Sequence, residues 1–478
     1  MTTSRLIVGP FNRVEGDLEV TLDIADGVVR EARVGATLFR GFEILLRGRP
    51  ALDALVVAPR ICGICSVSQS TAAARLLAAS AGADAPPNGR LAADLVLAAE
   101  NVADHLTHFV LFFMPDFARA CYAGHPWHAT ALRRFAAMEG EATRRLLPAR
   151  ARFLHLMGLL AGKWPHSLAL QPGGTTKAVD AAERIRLLSI LAEFREFVEE
   201  AVFADRLERI AALDSPDALA AWADEMPAET GDFRLFLHIA QDLGLASLGK
   251  GPRLLLSSGS FGLFRSGVWG GAGEPVPFDP ASVVEDTASA WLAGPAAHPS
   301  SGTTVPLPDK EGAYTWCKAP RLDGRVAEVG ALARQAVDGH PLVRALAAEG
   351  GSVLARVVAR LLEVARLLPA MEAWVKALRP GEPFCTATAG FADGPAAGLV
   401  EAARGTLGHW ATLSGDHIAG YQVVAPTTWN FSPRDAEGHP GALEAALAGT
   451  PVLPGETTPV AVQHVVRSFD PCMVCTVH

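Results

Sequence analysis

Apolar and polar residues alternate in Leu18-Glu-Val-Thr-Leu-Asp-Ile24, as a half-buried strand requires. Ala25-Asp-Gly27 supplies a turn and Val28 to Val34 returns, so residues 5 to 36 predict a small hairpin-rich lobe. The period then lengthens to that of a helix. Thr71 to Ala81 is rich in Ala and Leu, and Pro86-Pro-Asn-Gly89 interrupts it. Arg90 to Phe113 is a long amphipathic run with apolar residues at Leu95, Val102, Leu106, Phe109 and Phe113. Helical patterning continues over residues 127–160. It is longest from Thr175 to Leu213 and recurs from Val353 to Leu378. Trp269-Gly-Gly-Ala-Gly-Glu-Pro and Gly294 to Gly302 read as loops. The pattern predicts a predominantly helical α+β protein. An N-terminal β-rich lobe (1–59), a helical core (60–378) and a C-terminal lobe (379–478) would form one intertwined unit.

Composition narrows the class. Half of the 478 residues are hydrophobic and mean hydropathy is +0.22, which suggests a large core or a large partner interface. A net charge of −9 argues against nucleic-acid binding. Seven cysteines give no secreted disulfide pattern. No uncharged apolar run reaches the ~18 residues of a membrane span, and Met-Thr-Thr-Ser-Arg-Leu does not read as a signal peptide. A cytoplasmic location is the expectation.

The chemistry gathers in two CxxC pairs. Arg60-Ile-Cys-Gly-Ile-Cys-Ser-Val-Ser-Gln69 holds Cys62 and Cys65, and Asp470-Pro-Cys-Met-Val-Cys-Thr-Val-His478 holds Cys472 and Cys475. Each pair places two soft thiolates within reach of one metal ion, and together they would complete a four-sulfur site. Structural zinc usually draws its ligands from a short local module. These pairs lie at opposite ends of the chain, so the whole fold must bring them together.

The flanks of these pairs resemble the RxCGxC and DPCxxCxxH motifs of nickel–iron hydrogenase large subunits, and the resemblance extends over nearly the whole chain. It implies a Ni-Fe(CN)2(CO) centre. All four cysteines would bind nickel, with Cys65 and Cys475 bridging to iron. Asn12-Arg-Val-Glu-Gly-Asp17 is similar to the family's RxEGH motif, with Asp17 in place of His. It implies a proton-relay role for Glu15, and the first proton acceptor would be either the Cys472 thiolate, relaying to Glu15, or a site near Arg321. Glu43, in Arg40-Gly-Phe-Glu, would bind a second ion, Mg2+ or Fe2+, with His478 and a backbone carbonyl near Val423. Asp104 and Asp470 would lie beside the metals. Tyr314-Thr-Trp-Cys-Lys-Ala-Pro-Arg321 resembles a KAPR segment and implies that the Arg321 guanidinium hangs over the centre, hydrogen-bonded to a cyanide. Thr427 keeps a hydroxyl that donates to a cyanide. His166, in a PHxxxxxPGG-like segment, faces the partner. Cys121, Cys317 and Cys385 read as buried thiols.

Further residues imply a subgroup. Gln69 stands where the family usually has a His that donates near the bridging thiolate; an amide still donates but cannot titrate. Ile64 and Phe112 replace smaller residues beside the family's gas channel and imply oxygen tolerance. These features resemble the regulatory, hydrogen-sensing members, which also lack the cleaved C-terminal extension of most relatives. The expectation is a low-turnover H2 sensor in a heterodimer with an iron–sulfur small subunit, signalling to a partner such as a histidine kinase. A catalytic respiratory uptake hydrogenase is the alternative. A metal-free quinone-site subunit of a respiratory complex shares the fold but lacks the four cysteines.

Overall fold

The computed structural model describes residues 3–476. Strands Thr3–Val8, Leu18–Ala25 and Val28–Ala36 form an antiparallel meander. Leu18, Val20, Leu22 and Ile24 face the core, as the alternation predicts. Asp26 and Gly27 both take positive φ, 53° and 73°, the geometry of a tight hairpin turn. A second meander, Gly394–Ala402, Gly405–Ser414 and His417–Val424, forms near the C-terminal end. A mixed sheet of Glu328–Val329, Leu255–Ser260 and Phe264–Trp269 completes the larger β elements among the described residues. Helices supply most of the rest. The longest described helix is Val353–Ala377, with Ser352 capping it through Ala355 N–H at 3.2 Å.

Two helical expectations change. The run from Thr175 to Leu213 divides, because Thr175 pairs with Leu170 in a short hairpin and the helix begins only at Ala181. Asp180 and Glu183 close a capping box there, which fixes the start. The helix widens into a π-turn at Val198–Phe203 and stops where Ala204 turns left-handed, φ 49°. The amphipathic run ending at Phe113 likewise consists of a helix, Pro87–Thr107, and a π-turn, His108–Phe113. The extra residue per turn rotates the face presented, so Phe109 and Phe113 are buried while Phe112 is half-buried.

The helix Ser66–Ala81 starts directly after Cys65 and is buried on nearly every side from Ser66 to Leu77. Its small residues allow it to lie against the second meander. A Cβ on Gly398 would stand 2.0 Å from Ala72 O and 2.4 Å from Leu76 N, so only glycine permits this approach. Gly398 is the cross-strand partner of His409, so the same contact sets how closely His409 approaches the helix that carries Gln69. We expect Gly398→Ala to lower the thermal midpoint through overpacking of about 1–3 kcal/mol. An unchanged midpoint in a thermal melt would show that the helix has slack there.

The first turn of this helix has an acceptor from elsewhere. Glu100 accepts from Val67 N–H at 2.8 Å and from Ser68 N–H and Oγ at 2.9 Å, with Trp164 Nε1 at 3.1 Å. A carboxylate satisfies the orphan donors and suits the positive end of the helix dipole. Burial still pushes its pKa up to about 7, against those hydrogen bonds.

Candidate metal centre

The two ends of the chain meet at the cysteines. Helix Val460–Ser468 leads to Asp470, whose φ of 58° turns the chain sharply into Cys472 and the short turn Met473–Cys475. The N-terminal Glu15 pairs with Cys472 in a parallel bridge, and Met473 N–H donates to Glu15 O at 2.7 Å. Gly16, φ 81°, leaves room for Val474, whose N would stand 2.9 Å from an added Cβ. Arg40 reaches both CxxC segments, donating to Ile61 O and to Val474 O.

Cys62 Sγ lies 3.4 Å from Cys472 Sγ, and Cys475 Sγ lies 3.3 Å from both Cys65 Sγ and Cys472 Sγ. All four sulfurs fall within 4.8 Å of one another, all are buried, and none is in a disulfide. Neighbouring sulfurs, with burial, push the Cys65 and Cys475 thiols well above their usual range, whereas hydrogen bonds from the other three outweigh burial and lower Cys62. Four adjacent thiolates cannot persist without a cation, and a bound metal removes those protons outright. The donor set is soft and buried, which fits nickel and iron.

The family model for nickel-dependent hydrogenases matches residues 40–130 and 145–478. The chain belongs to that family. Over 99% of its length it is 28% identical to the periplasmic NiFeSe hydrogenase large subunit of Desulfomicrobium baculatum, covering 95% of that protein. It is 25% identical over its full length to the hydrogenase-2 large chain of Escherichia coli K12, covering 97% of it. The solved Ni-Fe-Se hydrogenase of Desulfovibrio vulgaris Hildenborough superposes with a TM-score of 0.85 at 29% identity, with both chains fully covered. The nickel–iron hydrogenase large-subunit fold expected from the sequence is therefore the fold observed.

Within this hydrogenase the guanidinium beside the cysteines is Arg404, not Arg321. Arg321 spends all five N–H donors elsewhere: Nε on Asp435 at 2.7 Å, and the terminal nitrogens on Pro320 O, Ser432 Oγ, Pro433 O and His439 O at 3.0–3.3 Å. No donor remains for a cyanide. Arg404 occupies the two-residue turn between strands Gly394–Ala402 and Gly405–Ser414, with Gly405 at φ 129° packed against Val329 and Gly330. Arg404 Nε donates to Asp470 O at 3.0 Å, and Nη2 donates to Asp470 Oδ1 and Asp104 Oδ1, both at 3.1 Å. Nη1 lies 2.9 Å from Asp104 Oδ2. Burial opposes its charge, but Asp104, Asp470 and the Cys472 and Cys65 sulfurs hold its pKa well above the usual value.

The two carboxylates titrate as a pair across this one cation. Burial pushes Asp104 up to about 7, against Arg404, with Asp470 and Cys472 adding to the rise. Asp470 is also penalised by burial, but Arg404, His108 and Arg360 outweigh it and its pKa falls. The shared Arg404 cation holds the pair together, and the balance of burial, mutual repulsion and that cation moves the two carboxylates in opposite net directions. Asp104 makes no pair with His108, whose Nε2 bonds Arg467 O at 2.6 Å.

Other expected residues fall into place around this centre. Glu15 is half-buried, and its pKa is raised by burial and then by Cys472, against Arg404 and Arg40. Asp17, where the family usually has His, is exposed. Thr427 Oγ1 accepts from Cys472 N–H at 3.2 Å, which leaves its own proton free to donate. Gln69 Nε2 lies 3.8 Å from Cys475 Sγ. Glu43 and Val423 do meet, but through the Val423 N–H, 2.8 Å from Glu43 Oε1. Gln422 and Thr304 bond the other oxygen, and Lys318 Nζ stands 3.6 Å away between Glu43 and Glu285. His478 lies outside the described residues. Ile64 packs on the core partly buried, on a different element from Phe112. His166, φ 61°, holds Pro59 O at 2.9 Å and Ser66 Oγ at 3.2 Å, beside the first CxxC.

Of the spare cysteines only Cys317 is buried; Cys121 and Cys385 are exposed, because both sit in short surface segments rather than on packed faces. Among the described residues no helix is long and apolar enough to cross a membrane.

Proposed function

We propose that this chain is the H2-splitting large subunit of a hydrogen-sensing nickel–iron hydrogenase. The buried four-sulfur cluster faced by Arg404 carries the reading. Cys62, Cys65, Cys472 and Cys475 would hold the nickel and iron. When bound, a nickel–iron centre bearing carbon monoxide and cyanide supplies the Lewis acidity that polarises and splits H2. The chain supplies the rest. Cys472 Sγ takes the proton and Glu15, beside it, passes it outward; its raised pKa suits exchange nearer neutral pH. Arg404 presents a fixed cation over the sulfurs, and its two carboxylates keep it from rotating away. Thr427 Oγ1 accepts from Cys472 N–H, and its own proton would donate to a cyanide of the bound centre. Glu43, with the Val423 carbonyl and His478, would hold magnesium, for which carboxylate and carbonyl oxygens are suitable ligands.

Electrons must leave through a second protein, because Cys121, Cys317 and Cys385 are dispersed and cannot build an iron–sulfur cluster. A cluster-bearing small subunit fits that need and fits the relatives' designation as large subunits and large chains. Gln69 supports sensing over bulk uptake, since it puts a non-titrating amide beside Cys475 where the family usually has a His. The uptake reading stands second, favoured by the relatives' names, neither of which describes a sensor. Deleting the gene in a host with another hydrogenase decides between them. A sensor's loss abolishes H2-dependent expression of that enzyme while H2 consumption by the pre-induced enzyme continues. Direct loss of most H2 uptake would establish the uptake role instead.

Glu15→Gln gives a test within the site. The amide is near-isosteric but carries no exchangeable acid proton. We expect H2/D2O exchange to fall by about 10²-fold or more, as for loss of a general acid–base group, while the infrared bands of the metal ligands persist. Exchange at the parent rate would place the proton exit elsewhere.

A further inference from the structure

We propose that His409 and Tyr421 are positioning residues that aim the Gln69 amide N–H at the Cys475 sulfur; this rests on the metal-centre reading above. Tyr421 Oη lies 2.7 Å from His409 Nδ1, His409 Nε2 lies 2.8 Å from Gln69 Oε1, and Gln69 Nε2 lies 3.8 Å from Cys475 Sγ. All four residues are buried. The chain of contacts crosses strand His417–Val424, strand Gly405–Ser414, helix Ser66–Ala81 and the turn Met473–Cys475.

Only one direction of donation satisfies it. A neutral imidazole has one donor and one acceptor. His409 is fully buried between a phenol and an amide, a setting in which a charged imidazole is costly, so the ring is neutral. Tyr421 is buried beside it, so the phenol keeps its proton. Tyr421 O–H makes no other hydrogen bond among the described residues, so it donates to Nδ1. The ring proton then sits on Nε2 and donates to Gln69 Oε1, which turns the amide NH2 toward the sulfur. In the opposite tautomer Nε2 accepts from the Gln69 NH2. The Gln69 oxygen would then face the electron-rich thiolate, and the tyrosine proton would have no partner. The thiolate and the phenol thus select the same imidazole tautomer from opposite ends. Without His409 the amide is a rotor whose oxygen and nitrogen exchange places freely.

Hydrogen bonding draws electron density from a thiolate, so a lost donor raises donation to the metal that shares Cys475. The readout is the infrared carbon monoxide stretch of the purified heterodimer. His409→Phe should move this band to lower wavenumber, and Tyr421→Phe should move it less in the same direction. His409→Gln, which can still donate to Gln69, should return it towards the parent position. In a Gln69→Leu background, His409→Phe should add no further shift, since its effect runs through the amide. Parent bands in both His409→Phe and Tyr421→Phe overturn the proposal. So does a full additional shift in the Gln69→Leu background. If His409→Phe fails to assemble, Tyr421→Phe decides, because it removes one oxygen and keeps the shape. Absence of the bands in the parent protein would instead overturn the metal-centre reading itself.

Discussion

Cys65→Ser should abolish metal assembly while leaving the fold intact. In the parent heterodimer we expect about one nickel per chain, since four thiolates enclose one such ion. In the variant we expect essentially none, together with loss of the carbon monoxide and cyanide infrared bands. The reasoning starts from the sulfur positions. Cys65 Sγ is 3.3 Å from Cys475 Sγ, and all four sulfurs share a span of 4.8 Å, so each sulfur borders the same small volume. A serine oxygen is harder, shorter in reach and far less acidic than a thiol, so it neither ionises in this buried place nor suits nickel. The substitution is nearly isosteric, and Cys65 precedes a helix whose first turn is held by Glu100, not by the cysteine. Unchanged circular dichroism beside lost nickel is therefore the expected result. A variant that retains nickel and both kinds of band would remove Cys65 from the ligand set. Zinc in the parent without those bands would show that the cluster is structural.

The sequence revealed the metal centre more readily than its surroundings. The CxxC pairs and the strand alternation of Leu18–Ile24 are local signals, and both are met by the fold. The division of Thr175–Leu213 was also written locally, in the Asp180–Glu183 capping box, but the apolar periodicity on either side obscured it. What surrounds the sulfurs is not local. Glu15 reaches Cys472 because the loop between the first two strands meets the C-terminal turn in a single parallel bridge, a contact with no short-range signature. Arg404 and Arg321 have similar flanks, Ala-Ala-Arg and Ala-Pro-Arg, and only the fold decides which faces the cysteines. One clue was available. Arg404 lies in a tight turn between two strongly apolar strands, where a cation is costly to bury unless paired, and Asp104 and Asp470 were the acidic residues already assigned to the same centre. Glu100 and Tyr421 left no comparable trace, since a buried Glu in a helix and a Tyr in a strand have many ordinary explanations.

The second large effect is expected at Arg404, where substitution separates charge from geometry. Arg404→Lys keeps one positive charge near Cys472. It cannot bond the Asp470 carbonyl and both carboxylates at the distances of 2.9–3.1 Å that the guanidinium reaches. We expect H2/D2O exchange per bound nickel to fall on the order of 10²-fold, the scale of losing a preorganised electrostatic group, with nickel content near the parent level. Arg404→Met removes the charge as well. Asp104 and Asp470 are then buried without their cation, a change that costs about 3–5 kcal/mol when one partner of a buried pair is deleted. That variant should accumulate poorly and lose metal. The control is Arg321→Lys, which disturbs the Asp435 loop and leaves every donor near the sulfurs in place. Its exchange rate per nickel should stay within a few-fold of the parent, as expected for a group that does not touch the reacting atoms. If Arg321→Lys is the slow variant and Arg404→Lys the normal one, the guanidinium that serves the centre is Arg321 after all, and the arrangement of Arg404 between its two carboxylates is only a structural brace.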